Sequence, residues 1–488
     1  MYICVILRIK GENMKINKIG QKSIVFLVLI SFILLFVTCF NDEEDPLISY
    51  EDPFQDYYPY TPYTVIYNKN AVDATGTMEN STFSVGVSVP LSINSFVRDN
   101  YCFLGWARTP TSTTEEYENG QSIIDLTTGG KTITLYAVWH ETYTVEVTKG
   151  STLAEKITWI KNNAESYTTY IIENTTYTID NDYTTIIDFR PKKQVTIHLK
   201  GSGYLSYNKN RKLEFKNVNL ILDGNITLSW PLSMNNANLI INTGTITNTV
   251  SMSNGLFIMN GGIISCDKGD GVNDGDGVSI TGGTFIMNGG KISSIRKGVS
   301  VTGGTFIMNS GEISGNRDSG VYVTYDWFIN KDGIFIMNDG KISGNGRSGV
   351  YIGSSAYGIY EKKYYGGTFI MNSGEISGNR DSGVYVFYGI FSMKDGEISD
   401  NISYSYGGGV YVSGGTFTKT GGNITGSNSA NSNIIKDYSG NTVNNKGRAV
   451  YAAGSTFEKR KETTAGSVDN LYFSYNDGNP KWSGMWDY

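Results

Sequence analysis

The chain has 488 residues, among them 58 Gly, 34 Tyr, 9 Pro and only 2 His, with a formal net charge of −6 and a pI near 5.2. The acidic balance offers no basic field to gather phosphates, which argues against nucleic acid as a partner. The cysteines, Cys4, Cys39, Cys102 and Cys266, lie too far apart for a metal-ligand or redox motif, and no cofactor is expected.

A chain of this length has room for two or three domains. Gly and Asn recur between short apolar runs, and both accept the left-handed backbone of tight turns. The texture predicts an all-β protein. Cys102 and Cys266 fall in separate domains on this reading and are expected as buried free thiols rather than as a disulfide.

Met14 opens a better export signal than Met1. Lys15, Lys18 and Lys22 form a basic lead, and residues 24–37 are apolar except for Ser31. That run is shorter than the ~20 residues of a membrane span and is soon followed by charge, so residues 1–38 read as a signal peptide. It ends in Leu35-Phe36-Val37-Thr38-Cys39, which resembles the lipobox of bacterial lipoproteins, and its relaxed form resembles that of spirochaete lipoproteins. The resemblance implies a lipid on the Cys39 thiol. Phe36 and Thr38 stand where the usual pattern has Leu and a small residue, which leaves a plain cleaved signal or an uncleaved anchor as the alternative. Residues 39–62, acidic and rich in Tyr and Pro, read as a flexible tether.

Residues 63–140 change character. Tyr63-Thr-Val-Ile-Tyr67 opens this stretch, Phe103-Leu-Gly-Trp106 lies inside it, and Thr132-Ile-Thr-Leu-Tyr-Ala-Val-Trp139 closes it. In the last run Ile133, Leu135, Ala137 and Trp139 alternate onto one face of a strand. These runs resemble the Listeria–Bacteroides repeat, or internalin-type B repeat, a β-grasp-like module of bacterial surface proteins, although Cys102 stands where such modules often carry Thr. The resemblance implies a spacer or adhesion module. Trp106 and Trp139 are expected in its core rather than under a sugar.

From residue 257 to 419 one unit repeats. It opens with Thr-Phe-Ile-Met or a variant, with Phe at 257, 285, 306, 335, 369, 391 and 417, so a unit of 21 or 22 residues is lengthened by insertions. Each unit carries three short runs, and stacked units can bury the apolar side that one alone cannot. The expectation is a right-handed parallel β-helix of about 21–22 residues per coil, filling residues 150–488. Phe never varies while the following Ile becomes Ser392 and Thr418, so Phe points in and Ile out. In the third run Val brackets Tyr322, Tyr351, Tyr385 and Tyr411, which should form an outward ladder. Asn288, Asn309, Asn338 and Asn372 in one turn, and Asn316, Asn345 and Asn379 in another, should hydrogen-bond from coil to coil. Insertions after the third run, residues 325–333 and 354–366, should emerge along one edge, where repeat proteins place binding.

Looser coils are expected before the clear repeats, at Thr178, Ile186, residues 195–199, Leu213, residues 218–222 and residues 239–241. Ahead of them residues 151–164 read as a helix with a Thr152/Glu155 capping box, covering the open first coil. The region from Ala449 onward, with Trp482 and Trp486, reads as the second cap. Together these units resemble the pectin-lyase-like superfamily and repeat-rich envelope lipoproteins.

Some β-helix proteins are polysaccharide lyases or hydrolases that rely on clustered carboxylates with a basic or His partner. Here His140 falls at a domain joint and His198 in a strand, while Lys291 and Glu312 recur at equivalent outward positions like solubilising residues. Asp267, Asp270, Asp274 and Asp276 cluster in a Gly-rich insertion and are a weak calcium candidate, their spacing not matching a full calcium loop. The leading expectation is a non-enzymatic envelope or surface lipoprotein. It would be held to the membrane by its lipid, at the outer membrane, the cell surface or the periplasmic face, and would present a rod to a glycan or to a host or envelope protein. The alternative is a carbohydrate-active or polysaccharide-binding β-helix.

Overall fold

A computed structural model describes residues 62–453 except 84, 87–88, 175–185, 190–193, 206–212, 230, 267–274, 295, 327–330, 359–362, 405, 427–430 and 443–447, together with residues 472–474. The export signal, Cys39 and the acidic stretch after it lie outside the described residues. So do Asp267, Asp270, Asp274, Thr178, Trp482 and Trp486.

Residues 63–141 form a small mixed sheet. Tyr63–Asn68 and Thr132–Glu141 run parallel in its centre. Ser81–Phe83 pairs antiparallel outside the first, and Tyr101–Ala107 antiparallel outside the second. Having the first and last strands parallel at the centre is a β-grasp-like order. Period-two alternation sends Tyr63, Val65, Tyr67, Leu135 and Ala137 into one core around Trp106, which is fully buried. Tyr67 and Phe103 lie 4.9 and 4.8 Å from the Trp106 ring, and Trp139 donates its indole N–H to the Lys69 carbonyl at 2.7 Å. Both tryptophans serve the core.

The strand Thr132–Glu141 leads almost directly into Tyr143–Glu146, the first strand of a stack of parallel strands. The chain then winds through three parallel sheets, here called faces A, B and C in the order a coil visits them. Face A holds the Thr-Phe-Ile-Met strands, face B the Lys/Glu-Ile-Ser strands and face C the Val-Tyr-Val strands. This is a parallel β-helix. Face C contains twelve strands among the described residues, from Ile186–Asp188 to Tyr472–Ser474, which at ~4.8 Å per step makes the stack about 55 Å long.

Register is strict. Phe257, Phe285, Phe306, Phe335, Phe369, Phe391 and Phe417 are successive partners although unequal lengths of chain separate them. The first six are fully buried, and neighbouring rings in the column stack at 4.3 to 4.9 Å. The Ile of the same strands is half-buried and points outward, as the sequence predicts. The two coils just before the clear repeats are tighter, Leu220 pairing with Leu239 and Leu239 with Phe257 at shorter intervals than any between the repeat phenylalanines, whereas the first coils are looser, Thr169 pairing with Thr196 and Thr196 with Asn219. Thr196–Leu205 and Asn219–Leu228 each pass from face A to face B without interruption, turning at Gly201 and Gly224, whose φ values are 97° and 124°.

The one helix among the described residues, α1 (Leu153–Asn163), covers the first coil. The Glu155 N–H donates to the Thr152 hydroxyl and the Thr152 N–H to the Glu155 carboxylate, closing the expected capping box. Leu153, Ile157 and Ile160 are buried against the helix core, and Ala164 joins them.

Two asparagine columns bind the coils together. The outer one runs Asn260, Asn288, Asn309, Asn338, Asn372, each amide donating to its predecessor at 2.7–2.9 Å. The inner one, Asn316, Asn345, Asn379, Asn401 and Asn433, is almost wholly buried, and each of the first four donates both its backbone and amide N–H to the next side-chain oxygen. Asn401 and Asn433 extend the column two coils beyond the repeats that announce it.

Candidate functional site

Face C carries the feature that sets this surface apart. Val321 and Val323, Val350 and Ile352, Val384 and Val386, and Val410 and Val412 are fully buried, so alternation turns the intervening residue outward. Tyr322, Tyr351, Tyr385 and Tyr411 are therefore register partners in one column, half-buried by one another.

The column is not uniform. Tyr322 and Tyr351 are parallel at 5.1 Å, Tyr351 meets Tyr385 edge-on at 5.1 Å and 81°, and Tyr385 and Tyr411 are again parallel at 4.7 Å. The Lys297 ammonium lies 3.6 Å from the Tyr322 ring centroid and closes that end of the stack. Burial holds the Lys297 pKa below the usual amine range. At the other end the column continues into Tyr451, with Tyr406 stacked on it at 4.3 Å. Residues 450–453 are thus a regular coil strand and not the start of a cap. The sequence signal is present in Ala-Val-Tyr but weakened by Ala452 where other coils have Val or Ile.

Ring faces in the two parallel pairs are occupied by neighbouring rings. The column consequently offers edges and hydroxyls more than open faces, and stacking a sugar or base on it is disfavoured. Burial raises the phenol pKa of Tyr322, Tyr351 and Tyr385, with Tyr351 pushed up to about 12. Near neutral pH these phenols are hydrogen-bond donors.

Two borders flank the column. After face C the insertions fold back as antiparallel hairpins, Tyr325 pairing Asp332 in one and Ser354 pairing Gly366 in the other. Both emerge along one edge, as expected of insertions after the third run. Between face B and face C the turns carry exposed Arg296, Arg317, Arg347 and Arg380, one in each of four successive coils. Asp276 approaches Arg296 at 3.9 Å and Asp318 approaches Arg347 at 3.5 Å. These arginines do not stand in one register: Gly346 lies over Arg317, and Arg347 occupies the position that Asp318 holds one coil earlier.

The remaining candidates do not assemble. Of the four aspartates considered for calcium, only Asp276 lies among the described residues, and its carboxylate faces Arg296 and the Lys297 N–H. Among the described residues no three His, Cys, Asp or Glu side chains converge as metal ligands. His140 stacks on Tyr167 at 3.7 Å. His198 lies 3.5 Å from the Asp223 carboxylate without hydrogen-bond alignment, and burial lowers its pKa. Lys291 pairs with Glu312 at 3.1 Å and Lys341 with Glu375 at 2.8 Å along face B. Cys266 is a buried free thiol, whereas Cys102 is half-buried with its pKa raised by burial to about 11. No helix among the described residues is long and apolar enough to cross a membrane.

Comparison with family models, with curated proteins and with solved structures returns no match for this chain.

Proposed function

We propose that this is a non-enzymatic cell-envelope protein, held to the membrane by a lipid on Cys39, that uses its β-helix as a rigid rod for adhesion or for binding a host or envelope ligand. The observation that carries the reading is the tyrosine column: Tyr322, Tyr351, Tyr385 and Tyr411 stand in register on one face, beside an edge built from hairpins. Tyrosine suits such a surface because its ring is rigid and amphipathic and loses little conformational freedom on contact. The β-grasp-like module then acts as a spacer between anchor and rod. A strict parallel ladder resists bending, which favours display over a hinged or closing site.

The test combines anchoring and binding. In the native host, a palmitate analogue should label the wild type and not Cys39→Ala, and protease applied to intact cells should cut the wild type. Triple replacement of Tyr351, Tyr385 and Tyr411 by Ser should lower cell or matrix adhesion at least tenfold while leaving the thermal transition cooperative. Full adhesion by that variant would sink the ladder reading, and absence of label would sink the lipid anchor.

A further inference from the structure

We propose that the outer surface of face A docks a second copy of this chain, the two rods lying face to face and antiparallel. In six successive coils the outward residues of this face fall into three columns. The middle one is isoleucine throughout: Ile240, Ile258, Ile286, Ile307, Ile336 and Ile370 are register partners, each half-buried. On one side stands Asn238, followed by Leu, Thr or Ile in every later coil to Thr368, and on the other the outer asparagine column from Asn242 to Asn372. None of these eighteen positions carries a charge. Face B of the same rod is the opposite case, with Lys291, Glu312, Lys341 and Glu375 as successive outward partners. Charge is depleted where protein surfaces meet and abundant where they face water.

Face A is also open and flat. Asn260, Asn288, Asn309 and Asn338 are exposed, and Ile390, in the next coil, is 49% exposed. An ordinary sheet turns ~20–25° from strand to strand, whereas neighbouring Phe rings inside these strands differ by only 6–15°. The eight coils from Asn219–Leu228 to Gly389–Met393 extend about 38 Å at ~4.8 Å per coil, and five residues of strand extend about 14 Å across. Two copies face to face would cover roughly 1,100 Å² between them, which reaches the small end of specific interfaces and implies a weak, reversible dimer. The face lacks the basic residues and the Trp or Tyr that hold an element on a bilayer surface, so a membrane is a poorer occupant.

The ends of the face set the direction. In the asparagine column the neutral run is bounded by Asp223, one coil before Asn242, and by Lys394, one coil after Asn372. Lys394 is exposed and the Asp223 side chain is 42% exposed. A two-fold axis along the strands maps each column onto itself with the coil order reversed. It sets Asp223 against Lys394 of the second copy at both ends, with Ile286 against Ile307 in the middle. Lys200, one coil beyond Asp223, then lies opposite Thr420. A two-fold along the stack would instead set Asp223 against Asn219 and Lys394 against Ile390, leaving both charges unmatched. Rods anchored in facing membranes point in opposite directions, so the antiparallel pairing suits contact between two cells. That consequence rests on the proposed anchor; the pairing itself does not.

Sedimentation velocity of the full chain in mild detergent, from about 1 to about 200 μM, should show a reversible dimer with a dissociation constant in the micromolar range. Ile286→Lys with Ile307→Lys, which sets like charges against each other at the centre, should raise that constant at least about a hundredfold. Asp223→Lys and Lys394→Asp should each raise it about tenfold, and the two together should restore it to within about threefold of wild type. A cooperative melt by circular dichroism shows that a variant is folded, and the charge variants, at exposed positions, decide the matter if the lysine pair is not. A wild type that stays monomeric throughout would overturn the proposal. So would a dimer indifferent to the lysine pair, or no recovery in the exchanged double variant. A monomer that co-sediments with phosphatidylcholine vesicles and is released by the lysine pair would also overturn it and give the face to lipid. The tyrosine triple variant should dimerise like the wild type, so this proposal and the tyrosine reading fail separately.

Discussion

Single side chains in this protein take their properties from identical neighbours one coil away. Tyr351 is an ordinary outward strand residue by position, yet tyrosines above and below it remove enough water to push its phenol up to about 12. A raised folded pKa means that the neutral phenol is preferred in the folded state. The contribution to stability is therefore complete below the unfolded value near 10 and is lost as pH rises from about 10 to about 12. A spectrophotometric titration should show a late-ionising tyrosine near pH 12 that disappears in Tyr351→Phe, and the wild type should lose stability across that window more than the variant. The inner asparagines obey the same logic. Asn379 is fully buried because Asn345 donates to it and it donates to Asn401. Asn316 ends the column with an oxygen that accepts no hydrogen bond among the described residues. The coil before it reads Ser-Ser-Ile where the next three read Ser-Gly-Asn, so the donor that would complete it is absent from that sequence position.

At the scale of the strand and its turn, the face A to face B corner shows why the repeat keeps Gly. Gly290, Gly311, Gly340, Gly374, Gly396 and Gly422 all have φ between 77° and 102°. Each also lies over the Met methyl of the preceding coil; a Cβ on Gly340 would stand 2.6 Å from Met308 Cε and 2.9 Å from the Gly311 carbonyl. Backbone strain and crowding act together there. Gly340→Ala should cost about 2–3 kcal/mol, beyond the ~1–2 kcal/mol of the left-handed backbone alone, and denaturant unfolding would measure it. An unchanged midpoint would show that the Met308 methyl moves aside without penalty. This interlock is not legible in the sequence, since Met and Gly recur in every copy but nothing in one dimension says that the Met of one coil meets the Gly of the next. The inward Phe and Val and the outward Ile and Tyr are legible, because substitution at some copies and constancy at others already separates the faces. The corner arginines occur once per coil, but the fold leaves Arg347 one position out of line with Arg317 and Arg380.

Across the whole molecule, insertions change the edge and leave the stack untouched. The long interval from Phe335 to Phe369 pairs as cleanly as the short one from Phe285 to Phe306, because the extra length is folded out as a hairpin. Legibility follows the same division: the stacked strands, the capping helix and the core columns are evident in the amino-acid sequence alone. The extent of the tyrosine column and the tightness of the two coils just before the repeats are not, because there the copies have diverged. Residues 305–323 and 368–386 are identical in sequence, and their strands occupy equivalent places two coils apart. Removal of residues 305–367 should therefore bring Thr368–Met371 onto Thr284–Met287 with every pairing restored. The variant should unfold cooperatively and be shorter by about 10 Å in its maximum dimension by X-ray scattering; an aggregated or molten product would contradict this.

Identity between those two stretches also has a consequence for inheritance. Recombination between near-identical coding repeats gains or loses whole units, and here each such event would hand the next generation a folded rod of altered reach. Length variants would then be available to a population without passing through misfolded intermediates.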